Sequence, residues 1–234
     1  MKFISLMATM PERRANLPKV RENYLRAISV VAGRAEFEWY LALWPDQLDV
    51  MDDLEKDLAP VPFRIFAVPR CEGLICHPFL LKANGVLDVV CREGFDDPDT
   101  FICTLMDDDL ISKNLLLHLK QAYELRHRRI LVVSAARGQQ VAQSQHPTWS
   151  LLAAPANMHH SYVTASQIWV RADVFTGKHD APRRLSHDDG LFVQQLHLEH
   201  PDWFEFLPDV WVAFNALEPG RWTDVPELKR LLDL

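Results

Sequence analysis

Residues 101–109 read FICTLMDDD, an apolar run that ends abruptly in three aspartates. The β-branched and aromatic residues of this run predict a buried strand over 101–106. Three adjacent carboxylates repel one another unless a cation or solvent offsets their charge. The stretch therefore predicts a central strand of a sheet and a polar site at the carboxyl end of that strand.

Similar apolar runs alternate with helical patterns on both sides of this strand. The predicted strands are residues 3–10, 37–44, 63–68, 101–106, 130–135, 166–174 and 211–214, and the predicted helices are residues 16–32, 50–58, 78–91, 113–125 and 186–198. This alternation is typical of an α/β protein with a mainly parallel central sheet flanked by helices. In such sheets ligands bind at the carboxyl ends of the strands, which is where the aspartates lie.

Residues 138–160 interrupt this alternation because they show little periodicity. We predict a long loop over this stretch, and long loops in compact domains often act as lids. Trp149 lies within it and is a candidate for stacking on a sugar ring or for closing the site.

Composition excludes several classes of protein. The chain has 234 residues, with 25 basic and 32 acidic side chains and a net charge of −7, and no Lys/Arg-rich run, so nucleic-acid binding is not expected. No GxGxxG or GxxxxGK[ST] pattern occurs among the 8 glycines, which argues against a Rossmann domain or a P-loop. No apolar run approaches the roughly 20 residues of a transmembrane helix. The amino-terminal segment does not resemble a signal peptide, so we expect a cytoplasmic protein.

The four cysteines form no CxxC pair and lie in apolar surroundings, which predicts buried thiols. A zinc site formed by Cys71, Cys76 and His77 is the alternative.

The aspartate triplet is a candidate metal site. In an extended segment Asp107 and Asp109 project to the same side, where they would share one ion. Carboxylate oxygens suit Mg²⁺ or Mn²⁺, which usually keep coordination positions for substrate phosphates. The alternative is an exposed acidic turn that caps the helix following Ser112.

Two further groups of residues are candidates for chemistry. Asp188 and Asp189 open the predicted helix 186–198, where a carboxylate can act as a general base, although Ser186 and Asp189 also resemble a capping box. Residues 9–14 follow the first strand, where an arginine can hold phosphate or stack on a base. The alternative for residues 9–14 is a solvated helix start with proline at an early position.

In this order, the motifs resemble those of GT-A glycosyltransferases, specifically the family 2-like enzymes that use nucleotide sugars. Residues 9–13 (TMPER) are similar to a T-x-P-x-R opening that contacts the nucleotide base. Residues 82–85 (KANG) are similar to a segment whose basic residue lies near the nucleotide. Residues 107–109 are similar to the D-x-D motif, in which the first aspartate faces the ribose and the last binds the divalent ion. Residues 187–190 (HDDG) are similar to the motif whose second acid is the base in inverting members.

This resemblance implies a role for each candidate residue. The implied catalytic residues are Asp189 as the base and Asp188 as its support. The implied metal ligands are Asp107 and Asp109. The residues implied in binding the nucleotide sugar are Thr9, Pro11, Arg13, Lys82, Asp107 and Asp108.

The resemblance also implies a single GT-A-like domain over 1–234, with a nucleotide-binding part over 1–135 and an acceptor-binding part over 136–234. It implies a glycosyltransferase that depends on Mn²⁺ or Mg²⁺ and moves a sugar from a nucleotide-diphosphate sugar to a hydroxyl of a saccharide or other acceptor. The missing Q-x-x-R-W motif favours a single addition, a candidate base favours inversion, and analogy with the family suggests surface-glycan synthesis in bacteria. The alternatives are a nucleotidyltransferase on a similar sheet and a non-catalytic module that binds a nucleotide or sugar.

Overall fold

The structure is a computed structural model that describes residues 1–7, 11–69, 78–92, 97–138, 148–159, 163, 165–176, 189–214, 216–217 and 225–233. The strands are β1 (Lys2–Met7), β2 (Glu36–Leu43), β3 (Phe63–Ala67), β4 (Thr100–Thr104), β5 (Leu110–Ile111), β6 (Ile130–Gly138), β7 (Thr148–Leu151), β8 (Ile168–Arg171) and β9 (Phe204–Phe214). The helices are α1 (Leu17–Val30), α2 (Met51–Leu58), α3 (Pro78–Arg92), α4 (Leu115–Arg126), α5 (Ala172–Thr176), α6 (Asp189–Glu199) and α7 (Val225–Leu232).

The described strands form one nine-stranded sheet in the order β3-β2-β1-β4-β8-β6-β9-β5, with β7 paired to β6. Strands β3, β2, β1 and β4 run parallel, as do β6 and β9. Strands β8, β7 and β5 pair antiparallel with their neighbours. The prediction of an α/β fold with a central sheet flanked by helices is confirmed.

Side chains of the central strands alternate between two apolar cores, one on each face of the sheet. On β1, Phe3 and Met7 belong to the core that contains the buried residues of α1, α2 and α4. Ile4 and Leu6 belong to the opposite core, which contains those of α3, α5 and α6. Because both faces are buried, the strand is a nearly continuous apolar run, which is why the sequence predicted it.

Helix α1 packs one face on the sheet. Its buried residues are Leu17, Val20, Asn23, Tyr24 and Ala27, at helical spacing. Pro18 lies in the first turn, where its missing N–H costs no helical hydrogen bond. Asn23 is the one polar residue of this buried set.

The predicted loop over 138–160 is wrong at Gly138 and over residues 148–151. Strand β6 continues to Gly138, and β7 pairs antiparallel with its last residues, so that Trp149 lies opposite Arg137. Residues 139–147 lie outside the described part of the chain. A four-residue strand gives too short a pattern to be distinguished from a loop.

Strand β9 is also longer than the predicted strand over 211–214. Its pairing with β6 shifts register, because Val133 lies opposite Leu207 while Ser134 lies opposite Trp211. The Ser134 hydroxyl donates a hydrogen bond to Pro208 O at this irregularity, at 2.8 Å. A proline within an apolar run argues against a strand, except at a bulge such as this one.

The sequence patterns did not predict α7, whose end is fixed beside β5. The hydroxyl of Ser112 donates a hydrogen bond to Asp233 Oδ2 at 2.7 Å, and the Lys113 N–H donates one to Leu232 O at 3.0 Å. Leu232 is buried against Leu110 of β5. In the described part of the chain, no helix has the length and apolar character needed to cross a membrane.

Helix α3 approaches the end of β3 closely at Gly85. A Cβ atom at Gly85 would lie 2.1 Å from Val68 Cγ1, much closer than two carbon atoms can approach. Gly85 therefore allows α3 to pack at its observed distance from the sheet, and Lys82 lies one turn earlier on the same helix.

We expect Gly85→Ala to lower the free energy of unfolding by about 1–2 kcal/mol, because Val68 must move within a packed core. Urea denaturation measures this loss. In a Val68→Ala background the same substitution should cost clearly less, since both obstructing methyl groups are gone and alanine favours helix. Equal losses in the two backgrounds would contradict the proposed contact.

Candidate functional site

Five of the predicted site residues, Arg13, Lys82 and Asp107–Asp109, lie at one edge of the sheet. Asp107–Asp109 follow β4, and Arg13 lies in the short 3₁₀ helix Pro11–Asn16 after β1. Lys82 of α3 contacts Trp44, which follows β2. Because β2, β1 and β4 are parallel neighbours, their carboxyl ends share this edge.

The aspartate triplet does not continue β4 as an extended segment. Asp107 and Asp108 form a turn, closed by a hydrogen bond from Asp109 N to Met106 O at 3.2 Å. The side chain of Asp109 stabilises this turn, because its Oδ2 accepts a hydrogen bond from Met106 N at 3.0 Å. The expectation that Asp107 and Asp109 project to one side of an extended segment is therefore wrong.

The three carboxylates are buried. Asp107 exposes 1% of its surface, and Asp108 and Asp109 expose 0%. The alternative of an exposed acidic turn is therefore wrong. A buried carboxylate is costly unless a positive charge or hydrogen bonds compensate it, so the neighbouring groups decide how the triplet is tolerated.

Arg13 supplies a positive charge for two of the three carboxylates. Its Nη1 lies 3.0 Å from Asp108 Oδ2 and 3.6 Å from Asp107 Oδ1. The side chain of Arg13 is 32% exposed, so the guanidinium still contacts solvent. Oxygens of Asp107 and Asp108 thus converge on one cationic nitrogen at the rim of the site.

The charge of Asp109 acts on two groups in the core beneath the turn, whereas Asp107 and Asp108 face Arg13. Burial raises the pKa of the Tyr24 phenol well above its usual value, and the charge of Asp109 adds to the shift. Burial likewise raises the pKa of the Cys103 thiol, again with a contribution from Asp109. Tyr24 and Cys103 both belong to the core on the α1 face, so Asp109 lies on the core side of the turn.

The segment that contains the turn is held from two other elements. Leu217 N, just beyond β9, donates a hydrogen bond to Asp108 O at 3.1 Å. The side-chain amide of Asn23 donates to Ile111 O at 2.9 Å and accepts from Ile111 N at 2.8 Å. Sequence reasoning did not identify Asn23, although a polar residue on the apolar face of α1 was a usable signal.

Lys82 is buried at the neighbouring strand end, with 2% of its surface exposed. Its Nζ donates a hydrogen bond to Gln47 Oε1 at 2.8 Å and lies 4.5 Å from the centre of a Trp44 ring. The same Gln47 oxygen accepts a hydrogen bond from Trp44 N at 3.2 Å. These contacts hold the ammonium group against the carboxyl end of β2.

Arg14 has a different role from its neighbour Arg13. It forms ion pairs with Asp53 and Asp57 of α2, both at 3.0 Å. Hydrogen bonds to Asp57 and then Asp53 raise the pKa of its guanidinium. Arg14 thus joins the segment after β1 to α2.

Oxygen donors for a divalent ion are present at the rim. In the described ranges, no three His, Cys, Asp or Glu side chains are arranged to hold a metal ion. Asp107 and Asp108 already direct oxygens to one cationic nitrogen, and two carboxylates are a sufficient protein contribution for Mg²⁺ or Mn²⁺ when water and phosphate complete the shell. The residues present therefore fit such an ion. The alternative zinc ligands Cys71, Cys76 and His77 lie outside the described residues.

Several predicted residues are described in part or not at all. Thr9 and Asp188 lie outside the described residues. Pro11 begins the 3₁₀ helix and Asp189 begins α6, but their side chains are not among those described. The roles predicted for these four residues stay predictions.

The chain matches no family model and no curated protein in sequence. Its fold is similar to that of S. aureus TarS 1-349, at 15% identity and a TM-score of 0.54, over 92% of this chain and 60% of the TarS chain. TarS 1-349 in complex with UDP-GlcNAc gives 17% identity, a TM-score of 0.53 and coverage of 91% and 58%. The complex with UDP gives 14% identity, a TM-score of 0.54 and coverage of 91% and 60%.

These similarities define a GT-A-like α/β fold. The chain spans about 60% of the length of the TarS chains that it matches. The match to a 4-diphosphocytidyl-2C-methyl-D-erythritol synthase extends over 99% of each of the two chains, at 11% identity and a TM-score of 0.49.

We expect Arg13→Gln to lower the free energy of unfolding by about 2 kcal/mol, because it leaves Asp107 and Asp108 buried without this positive charge. Chemical denaturation at neutral pH measures the loss. Arg14→Gln is the matched control and should cost clearly less, because the Asp53 and Asp57 carboxylates lie nearer solvent and are screened. Equal losses for the two variants would show that the Arg13 ion pairs do not stabilise the fold.

Proposed function

We propose that this protein is a glycosyltransferase that moves a sugar from a nucleotide-diphosphate sugar to an acceptor hydroxyl. The observation that carries the proposal is the group formed by Arg13, Asp107 and Asp108 at the carboxyl edge of the parallel strands. It is supported by the similarity in fold to TarS, whose structures include complexes with UDP-GlcNAc and UDP.

A donor diphosphate matches the charges at this edge. The Arg13 guanidinium carries several N–H donors, and its exposed part can hydrogen-bond to phosphate oxygens that arrive from solvent. The Lys82 ammonium group places a second positive charge at the neighbouring strand end. Both groups would stabilise the negative charge that develops on the diphosphate as it leaves the sugar.

Asp107 and Asp108 are the proposed ligands of a divalent ion, because their oxygens face one cationic nitrogen of Arg13. The ion would take the place of that nitrogen, and the guanidinium would then turn to the phosphate oxygens of the donor. When bound, Mg²⁺ or Mn²⁺ neutralises charge on the leaving diphosphate. Asp109 was predicted as a ligand with Asp107; no observation tests that ligation, and we propose a different role for Asp109. Its Oδ2 shapes the turn, so we assign Asp109 a supporting role in holding the other two carboxylates in place.

The acceptor side of the reaction rests on Asp189, at the first position of α6. We propose that its carboxylate accepts the proton of the acceptor hydroxyl as that oxygen attacks the anomeric carbon. The bond between that carbon and the diphosphate breaks in the same step, so one addition inverts the configuration of the sugar.

A thermal-shift screen of UDP, GDP, CDP and dTDP, their sugars and the corresponding nucleoside triphosphates, with and without Mn²⁺, tests the donor. We expect one nucleotide to raise the melting temperature in the presence of Mn²⁺, since a ligand that binds the folded state stabilises it. Asp108→Asn should abolish the shift. Asp109→Asn keeps an oxygen that can accept the Met106 N–H and should retain it.

Two results of this screen would contradict the proposal. A shift that only nucleoside triphosphates produce would favour nucleotidyl transfer. A shift that Asp109→Asn abolishes and Asp108→Asn retains would reverse the roles assigned to the two aspartates.

We expect Asp189→Asn to leave binding of the nucleotide sugar near normal and to reduce transfer by at least about a hundredfold, because the amide cannot accept the proton. Binding is measured calorimetrically and transfer by release of the nucleotide. The matched control is Glu199→Gln at the exposed end of the same helix, which should change neither. Full turnover by Asp189→Asn would exclude Asp189 as the base.

A further inference from the structure

We propose that Asn23 is a positioning residue for the candidate site, because it fixes the separation between Arg13 and the aspartates. The effect that we expect Asn23 to have on ligand binding rests on the proposed function. The underlying geometry is independent of that function.

Asn23 makes two hydrogen bonds to one residue of the opposing segment. Its Nδ2 donates to Ile111 O at 2.9 Å, and its Oδ1 accepts from Ile111 N at 2.8 Å. The residue is 5% exposed, and both contacts are buried. Because both hydrogen bonds are buried, water cannot readily replace either partner. Each bond therefore restricts the position of Asn23 relative to Ile111.

The backbone groups of Ile111 face α1 because β5 lies at the end of the strand order. On its other side β5 pairs with β9, where Leu110 lies opposite Ala213. A primary amide presents a donor and an acceptor, as a neighbouring strand does. Asn23 thus occupies the position that a further strand would take.

The two elements that Asn23 joins carry the opposite charges of the site. Arg13 lies in the 3₁₀ helix Pro11–Asn16, which continues directly into α1. Ile111 lies in β5, two residues after Asp109, whose side chain closes the turn on Met106. Hydrogen bonds between α1 and Ile111 therefore set where the Arg13 guanidinium meets Asp107 and Asp108.

The test compares Asn23→Leu with Val20→Ala, a substitution of a fully buried residue one turn earlier on the same helix. We expect Asn23→Leu to weaken binding of UDP in the presence of Mn²⁺ by about tenfold, the size of effect seen when residues that orient ligating groups are removed. Val20→Ala loses core packing but keeps both hydrogen bonds between Asn23 and Ile111, and it should leave UDP affinity unchanged. Both are measured by calorimetry at a temperature where each variant is folded.

A second measurement tests the geometry without any ligand. If Asn23 sets the Arg13 contact, Arg13→Gln should cost less stability in the Asn23→Leu background than in the wild type, and about the same in the Val20→Ala background. Where Asn23→Leu does not fold, Asn23→Asp replaces it, because it retains the acceptor for Ile111 N and loses the donor to Ile111 O.

The outcomes separate the two proposals. Wild-type protein that binds none of the nucleotides contradicts the proposed function, and the stability comparison then decides on Asn23 alone. Wild-type affinity in Asn23→Leu, equal loss of affinity in Val20→Ala, or a cost of Arg13→Gln that is the same in all three backgrounds would overturn the role of Asn23.

Discussion

The positive charge of Arg13 allows Asp107 and Asp108 to lie out of solvent at the carboxyl edge of the sheet. Neither carboxylate could be buried there at low cost without the guanidinium 3.0–3.6 Å away. The end of β4, the turn after it and the segment that follows β1 are all arranged around this contact. The partly exposed guanidinium of Arg13 is also the feature that makes this edge of the sheet suitable for a phosphate group.

Several distant parts of the chain hold the turn in place. Asp109 closes it from within, Leu217 holds the Asp108 carbonyl, and α1 holds Ile111 through Asn23. Sites built on well-anchored elements keep charged groups in place without a ligand. The three aspartates of the triplet therefore have different tasks: two face Arg13, and the third maintains the local backbone.

The alternation of buried strands and helices could be predicted because strands covered on both faces form long apolar runs, such as β1, β2 and β4. The carboxylates after β4 could be recognised as a candidate site because they directly follow such an apolar run. Their orientation was not, because it depends on the hydrogen bond from Met106 N to Asp109 and on a contact between Asn23 and Ile111, 88 positions apart in the chain. Short β7 and the docked α7 also depend on tertiary partners rather than on local periodicity.

Asn23 has a consequence for self-association as well. The outer strand of a sheet ordinarily offers unpaired N–H and C=O groups to which another chain can add a strand. Strand β5 is two residues long, and the amide of Asn23 already engages both polar backbone groups of Ile111. This end of the sheet is therefore closed to strand addition, so edge-to-edge aggregation cannot begin at Ile111.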